Sequence, residues 1–176
     1  MHRKITGLAI AALAVMLATP ASAQLSNVGL SLRGGLFFPT DSNTRDNAGQ
    51  SWVAFGAEYK IKDLSLSPGG VAGNPGALTV SLDYMGKGDY RHVPVLLNYM
   101  GYLDATRSLY FSGGLGVGFA KAPTPSGVED NVRFAYQVGL GYTVVQGQTP
   151  VFVEAHYFGS GKTELNGFGF YIGVRL

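Results

Sequence analysis

Glu154 and His156 stand two residues apart, and a carboxylate that orients an imidazole is the arrangement of a general base. Two other stretches also invite chemistry. Residues 113–118 read Gly-Gly-Leu-Gly-Val-Gly, with the glycines of a phosphate-cradling loop, and residues 41–46 read Asp-Ser-Asn-Thr-Arg-Asp, a cluster of oxygen ligands. The elements around them argue against all three. The glycines lie inside an alternating strand pattern and open no helix, so no helix N-terminus is aimed at a phosphate. The Asp41 segment lacks calcium-loop spacing and reads as a solvated loop. His156 belongs to a two-residue alternation, Phe152, Glu154, His156 and Phe158, opposite Val151, Val153, Ala155 and Tyr157. A hydrogen-bonded interior histidine is the expected outcome, and neither a cofactor nor a metal ligand set is expected.

That alternation recurs along the chain, separated each time by turn chemistry. Residues 28–38 place Val28, Leu30, Leu32, Leu36 and Phe38 on one face and Ser31, Arg33 and Gly35 on the other. Residues 51–61 oppose Val53, Phe55, Ala57, Tyr59 and Ile61 to Glu58 and Lys60. A third strand opposes Leu78, Val80, Leu82 and Tyr84 to Asp83, and a fourth, residues 90–102, opposes Val93, Val95, Leu97 and Tyr99 to Leu96 and Asn98. Pro94 cannot donate to a ladder, which predicts a bulge or irregular start in the fourth strand. The fifth (109–121), sixth (Arg133 and Gln137 facing away from Phe134, Tyr136 and Val138) and seventh strands follow the same rule. An eighth ends the sequence, with Phe168, Phe170, Ile172, Val174 and Leu176 on one parity and Arg175 on the other.

Composition points to where such strands would sit. Charged residues are 14% of the chain against about a quarter in ordinary globular domains. Gly at 26 residues and aromatics at 12% are correspondingly high. The first residues carry Arg3 and Lys4, then an apolar run to Ala18, then Ala21-Ser22-Ala23, which predicts a secretory signal peptide over residues 1–23 and a single domain over 24–176. The apolar run is too short for a convincing spanning helix, so any membrane crossing is expected by strands. Without cysteine, disulfides cannot hold the domain. The formal charge of +2 includes Arg3 and Lys4, which leaves the mature chain near neutrality and nucleic acid an unexpected partner.

A long apolar edge strand at the end of a chain is an aggregation hazard unless it pairs with the first strand, and that pairing closes a barrel. Strands of about nine to twelve residues suit a tilted bilayer crossing. Apolar positions also sort by depth: Phe38, Tyr84, Phe119, Phe134, Tyr136, Tyr157 and Phe168 fall at one end, and Tyr59, Tyr99, Phe111 and Tyr142 at the other. Two aromatic girdles around an aliphatic belt are a membrane-barrel pattern. The expected fold is therefore all-β, an eight-stranded antiparallel up-and-down transmembrane β-barrel. Its outer loops would be 40–50, 86–89, 122–131 and 159–164, and its long inner loop 62–76.

With the phrases Leu30-Ser-Leu-Arg-Gly-Gly-Leu-Phe-Phe-Pro39 and Leu115-Gly-Val-Gly-Phe119 in this pattern, the chain resembles the small outer-membrane barrels of the OmpA membrane-domain, OmpX and OmpW group. The resemblance implies an outer-membrane location, export through the Sec pathway, contact with lipid and lipopolysaccharide, insertion by the barrel assembly machinery, and a monomer that meets extracellular partners through its loops. It departs from the group in ending on Leu176 where an aromatic residue is usual. Lipid A deacylases, also small barrels, use a His and a Ser on the outer surface. Here His156-Tyr-Phe-Gly-Ser160 lacks their His-x-Ser-Asn phrase and His156 points inward, so no enzyme activity is expected.

Inside such a barrel the second parity collects Arg33, Glu58, Lys60, Asp83, Arg133, Gln137, Glu154, His156 and Arg175. Eight strands leave an interior just wide enough for side chains to fill, and confined charges must pair. Arg33 with Glu58 and Glu154 with Arg175 are the expected pairs. A polar, filled lumen implies a structural or surface-interaction role; the alternative is a narrow or gated path for ions or, as the OmpW likeness implies, small apolar solutes. On the wall, Ile172→Arg is expected to block insertion and Gly173→Ser to be milder.

Overall fold

A computed structural model of the protein describes residues 29–64, 76–124, 127–161 and 163–176. The leader expected over 1–23, the expected start of the first strand at Val28 and residues 65–75 of the expected inner loop lie outside them. The described elements are β1 (Leu30–Pro39), α1 (Ser42–Ala48), β2 (Trp52–Leu64), β3 (Gly76–Lys87), β4 (Tyr90–Tyr102), β5 (Leu109–Thr124), β6 (Gly127–Val145), β7 (Val151–Ser160), a 3-10 turn (Thr163–Leu165) and β8 (Gly167–Arg175). Each strand pairs antiparallel with the next, and β8 pairs with β1, so the sheet closes as an up-and-down barrel. At the seam Leu32 faces Val174 and Phe38 faces Phe168, and the Leu176 N–H donates to the Leu30 carbonyl at 2.7 Å.

Parity decides which side chains fill the barrel. Leu115 is 61% exposed and Phe134 59%, whereas Phe37 and Phe158 are fully buried: the first pair faces out and the second in. On the outside an aromatic band runs through Phe168, Tyr157, Tyr136 and Phe134, with successive ring centroids 5.2, 6.3 and 6.3 Å apart. On the inside many positions are glycine because a large neighbour occupies the space. A Cβ at Gly118 would meet His92 Nε2 at 2.5 Å, and one at Gly139 would meet His156 Nδ1 at 2.9 Å.

Two details differ from the sequence expectation, and the Pro94 expectation is met in its irregularity without the bulge. Pro94 sits within β4 without a bulge: register on both sides is the same, but the β3–β4 ladder lapses between Leu82↔Val95 and Met85↔His92, where Pro94 lacks its N–H, while pairing with β5 continues as Pro94↔Gly118. The expected outer loop 122–131 is instead an extended hairpin, with Lys121 opposite Asp130 and Ala122 opposite Glu129. The first outer loop carries α1. Asp41 caps it, accepting from the Thr44 N–H at 2.7 Å, and Gly49 with φ 89° ends it, a backbone conformation that favours glycine. The hairpin's ladder supports its strands beyond the barrel, and both ends of α1 satisfy backbone groups that a loop would leave to water.

At the opposite, inner end, the turn between β4 and β5 closes on Asp104. Its carboxylate accepts from the Thr106 hydroxyl and, at 2.9 Å, from the Leu109 N–H. Those donors hold the Asp104 carboxyl below the ordinary carboxylate range, the Thr106 hydroxyl foremost.

Candidate functional site

The barrel interior is layered. Toward the outer end, Phe37, Trp52, Met85, Leu96, Phe158 and Leu165 form an apolar plug in which each is at most 1% exposed. Phe37 packs against Trp52 and Phe158 at 5.4 and 6.3 Å between ring centroids. This plug is a correction to the expectation of a lumen polar throughout. Its members come from the inward parity of β1, β2, β3, β4 and β7, with Leu165 added by the 3-10 turn.

Beneath the plug lies the ionic layer, centred on Arg33. Register explains its geometry. Arg33, Gly56 and Asp83 form one cross-strand row, and because position 56 has no side chain the guanidinium passes over it to reach Asp83. Nε and Nη2 donate to the two Asp83 oxygens at 2.9 and 2.8 Å, a fork matched to a carboxylate. Nη1 donates to Glu154 Oε2 at 2.9 Å, and the Arg33 guanidinium carbon lies 5.2 Å from the Tyr171 ring centroid. Tyr110 donates its hydroxyl to the other Glu154 oxygen at 2.8 Å. Arg33, Asp83 and Glu154 are nearly excluded from solvent, which demands this degree of pairing.

The layer continues across the barrel. His156 places Nε2 3.2 Å from Glu154 Oε2 and Nδ1 3.1 Å from Gln137 Oε1. Gln137 Nε2 donates to Asn98 Oδ1 at 2.7 Å, and Asn98 Nδ2 donates to Ser81 Oγ at 3.0 Å and toward Glu58 Oε2 at 3.4 Å. Five of the candidate charges thus meet in one layer: Arg33, Glu58, Asp83, Glu154 and His156. Lys60 does not; it is exposed at the inner rim and pairs with Asp63 at 3.2 Å. Arg133 has the inward parity but lies at the outer end, exposed.

Both expected pairs are replaced. Opposite Glu58 stand Ser31 and Ser81, and Arg33 turns to Asp83 and Glu154. Arg175 is on the correct face but too deep for Glu154, whose rung carries Tyr171. The guanidinium stacks between Tyr110 and Phe152, its carbon 4.6 and 5.0 Å from their centroids, and donates to Thr143 Oγ1 at 3.3 Å. Tyr110 is the participant that the sequence reading missed. Its parity, opposite to Leu109 and Phe111, was the available signal.

His92 is a second buried imidazole, and neither ring nitrogen finds a hydrogen-bond partner among the described residues; Trp52 Nε1 and the Tyr171 hydroxyl share that state. As chemistry, the ionic layer can fix register and exclude mobile ions. His156 is 2% exposed beneath an apolar plug, so a substrate has no approach to it from the outer end.

The closed, up-and-down strand order has a counterpart among solved structures. The outer-membrane protein Ail of Yersinia pestis, determined in a phospholipid bilayer nanodisc, superposes with a TM-score of 0.50 over 84% of this chain and 98% of that one, at 15% identity. The fold is that of an eight-stranded outer-membrane barrel. At that identity the likeness speaks for the fold alone. No family model and no curated protein sequence matches the chain.

Proposed function

We propose that the protein is a non-enzymatic outer-membrane barrel whose interior is sealed and whose contacts are made at its outer surface. The observation that carries this reading is the stacking of the apolar plug directly over the Arg33 layer. A permeating ion would have to displace tightly packed rings and then break a paired, buried charge cluster, and each step is costly. Residues 1–23 would be the Sec leader that delivers the chain, the assembly machinery would insert it, and it would work as a monomer. Lipid and lipopolysaccharide would surround the belt, where Arg91 and Lys121, cross-strand neighbours on the outward parity just above Val93 and Phe119, suit an anionic headgroup zone. Extracellular partners would meet α1, the β5–β6 hairpin and the 3-10 turn. Planar-bilayer recording tests the seal: pure folded protein should add no channel events above the lipid baseline, and reproducible unitary currents would sink the proposal.

A second reading, a gated narrow path, draws support from a third carboxylate, Glu58, on the far side of the network that holds Arg33. Exchange of Arg33 between carboxylates would then accompany opening. The same recordings separate the two readings, since a gate produces events that change in Glu58→Gln.

A further inference from the structure

At the outer end a cavity of about 610 Å³ opens between α1, the β3–β4 turn and the tip of β5. That volume lies within the range of small-ligand pockets, about 300–1,000 Å³. Its wall carries an ammonium, a carboxylate, an amide and an aromatic ring, from Lys87, Asp89, Asn47 and Tyr90, with Pro123 beside them. We propose that this cavity binds a saccharide that bears a carboxylate.

The lysine is built into place. Lys87 Nζ donates to the Ser51 carbonyl at 3.1 Å, and a Cβ at Gly49 would stand 2.5 Å from that nitrogen, so the glycine that ends α1 also makes room for the ammonium. One of three ammonium hydrogens is used, which leaves two for an incoming anion. Asp89 lies two residues away across Gly88 and makes no hydrogen bond or ion pair among the described residues, so its carboxylate is available to accept from hydroxyls. Asn47 donates one of its two amide hydrogens to the Asn43 carbonyl at 2.9 Å, which leaves the other N–H and the amide oxygen for a ligand. Tyr90 is half-buried and packed on Trp52 at 5.7 Å, a fixed ring whose electron-rich face suits the C–H face of a pyranose.

The same groups disfavour other ligands. A phosphate, with nearly two charges, would meet Asp89 as well as Lys87. An extended peptide needs open backbone groups, but Lys87 and Tyr90 are already paired with each other across the turn. One carboxylate, several hydroxyls and one apolar face use every group in the wall.

The chain's single tryptophan, Trp52, lies beneath Tyr90 and supplies the readout. Folded protein in nanodiscs is titrated with glucuronic acid and N-acetylneuraminic acid, with glucose and acetate as neutral and charge-only controls. A saturable change in Trp52 emission is expected for at least one sugar acid, with Kd of about 1 mM, as suits a single small ligand. Lys87→Met, verified as folded by its heat-modifiable migration, should weaken it at least tenfold and Asp89→Asn by a smaller factor. Absence of saturation with both acids, equal response to acetate, or unchanged affinity in Lys87→Met would overturn the proposal. An acidic core oligosaccharide from lipopolysaccharide and a hyaluronan tetrasaccharide then divide a source on the cell's own surface from one on another cell; binding of neither also overturns it. The inference rests on the outer-surface reading above, and the two fail separately: channel currents would remove the seal and leave the sugar titration unchanged.

Discussion

Arg33 binds the interior together, and its replacement should be the most damaging single change there. Arg33→Met leaves Asp83 and Glu154 buried without their cation, a loss of about 3–5 kcal/mol when one member of a buried pair is removed. Urea unfolding in liposomes measures it. The triple change Arg33→Met, Asp83→Leu, Glu154→Leu should recover most of the loss, because no unpaired charge remains; a triple variant as unstable as the single one would mean that the charges are not the cause. At this scale the sequence was partly legible. Parity put Arg33, Glu58, Asp83, Glu154, His156 and Arg175 on the interior face, but parity carries no depth. Which carboxylate Arg33 meets depends on Gly56 standing opposite it, and that required the register of β1 against β2. Arg175 shows the same limit: right face, wrong rung.

Among the elements, β8 offers the sharpest test of sidedness. Phe170 is 52% exposed on the lipid side and Ile172 follows it on the same parity. Ile172→Arg should oppose insertion by about 2–4 kcal/mol at the bilayer midplane. Gly173→Ser, expected from sequence to be mild, is costly in the structure, since its Cβ would meet the Leu32 carbonyl oxygen at 2.5 Å and the Phe152 ring. The two variants should fail differently: Ile172→Arg in the yield of liposome insertion, Gly173→Ser in the denaturation midpoint of whatever inserts. Identical behaviour would break the assignment of faces. Strand number and parity were plain in the sequence because a period of two persists over each strand. The hairpin of β5 and β6 and the helix α1 were not, because turn residues such as Pro123, Gly49 and Asp41 mark irregular backbone without saying whether pairing continues past it. The Asp41 cap was readable in hindsight as an N-cap followed by Gly49 as a C-terminal signal.

For the molecule as a whole, the closing seam has a temporal meaning. β1 and β8 come from opposite ends of the domain, and the Arg33–Glu154 bond spans 121 residues of sequence. Contacts that distant form late, after the loop entropy of bringing the ends together has been met. Arg33 also reaches Asp83 on β3, so a half-assembled sheet that holds β1 to β3 has one carboxylate in hand and lacks the other. The second arrives only with β7 and β8. Interactions absent from the transition state alter the rate of unfolding and leave the rate of folding nearly unchanged. Glu154→Gln should therefore shorten the lifetime of the finished barrel in a bilayer while it folds at close to the native rate; slowed folding with an unaltered lifetime would place the bond earlier. The buried arginine then works as a latch, engaged by the last strands to arrive, so that how long the barrel lasts is set separately from how fast it is made.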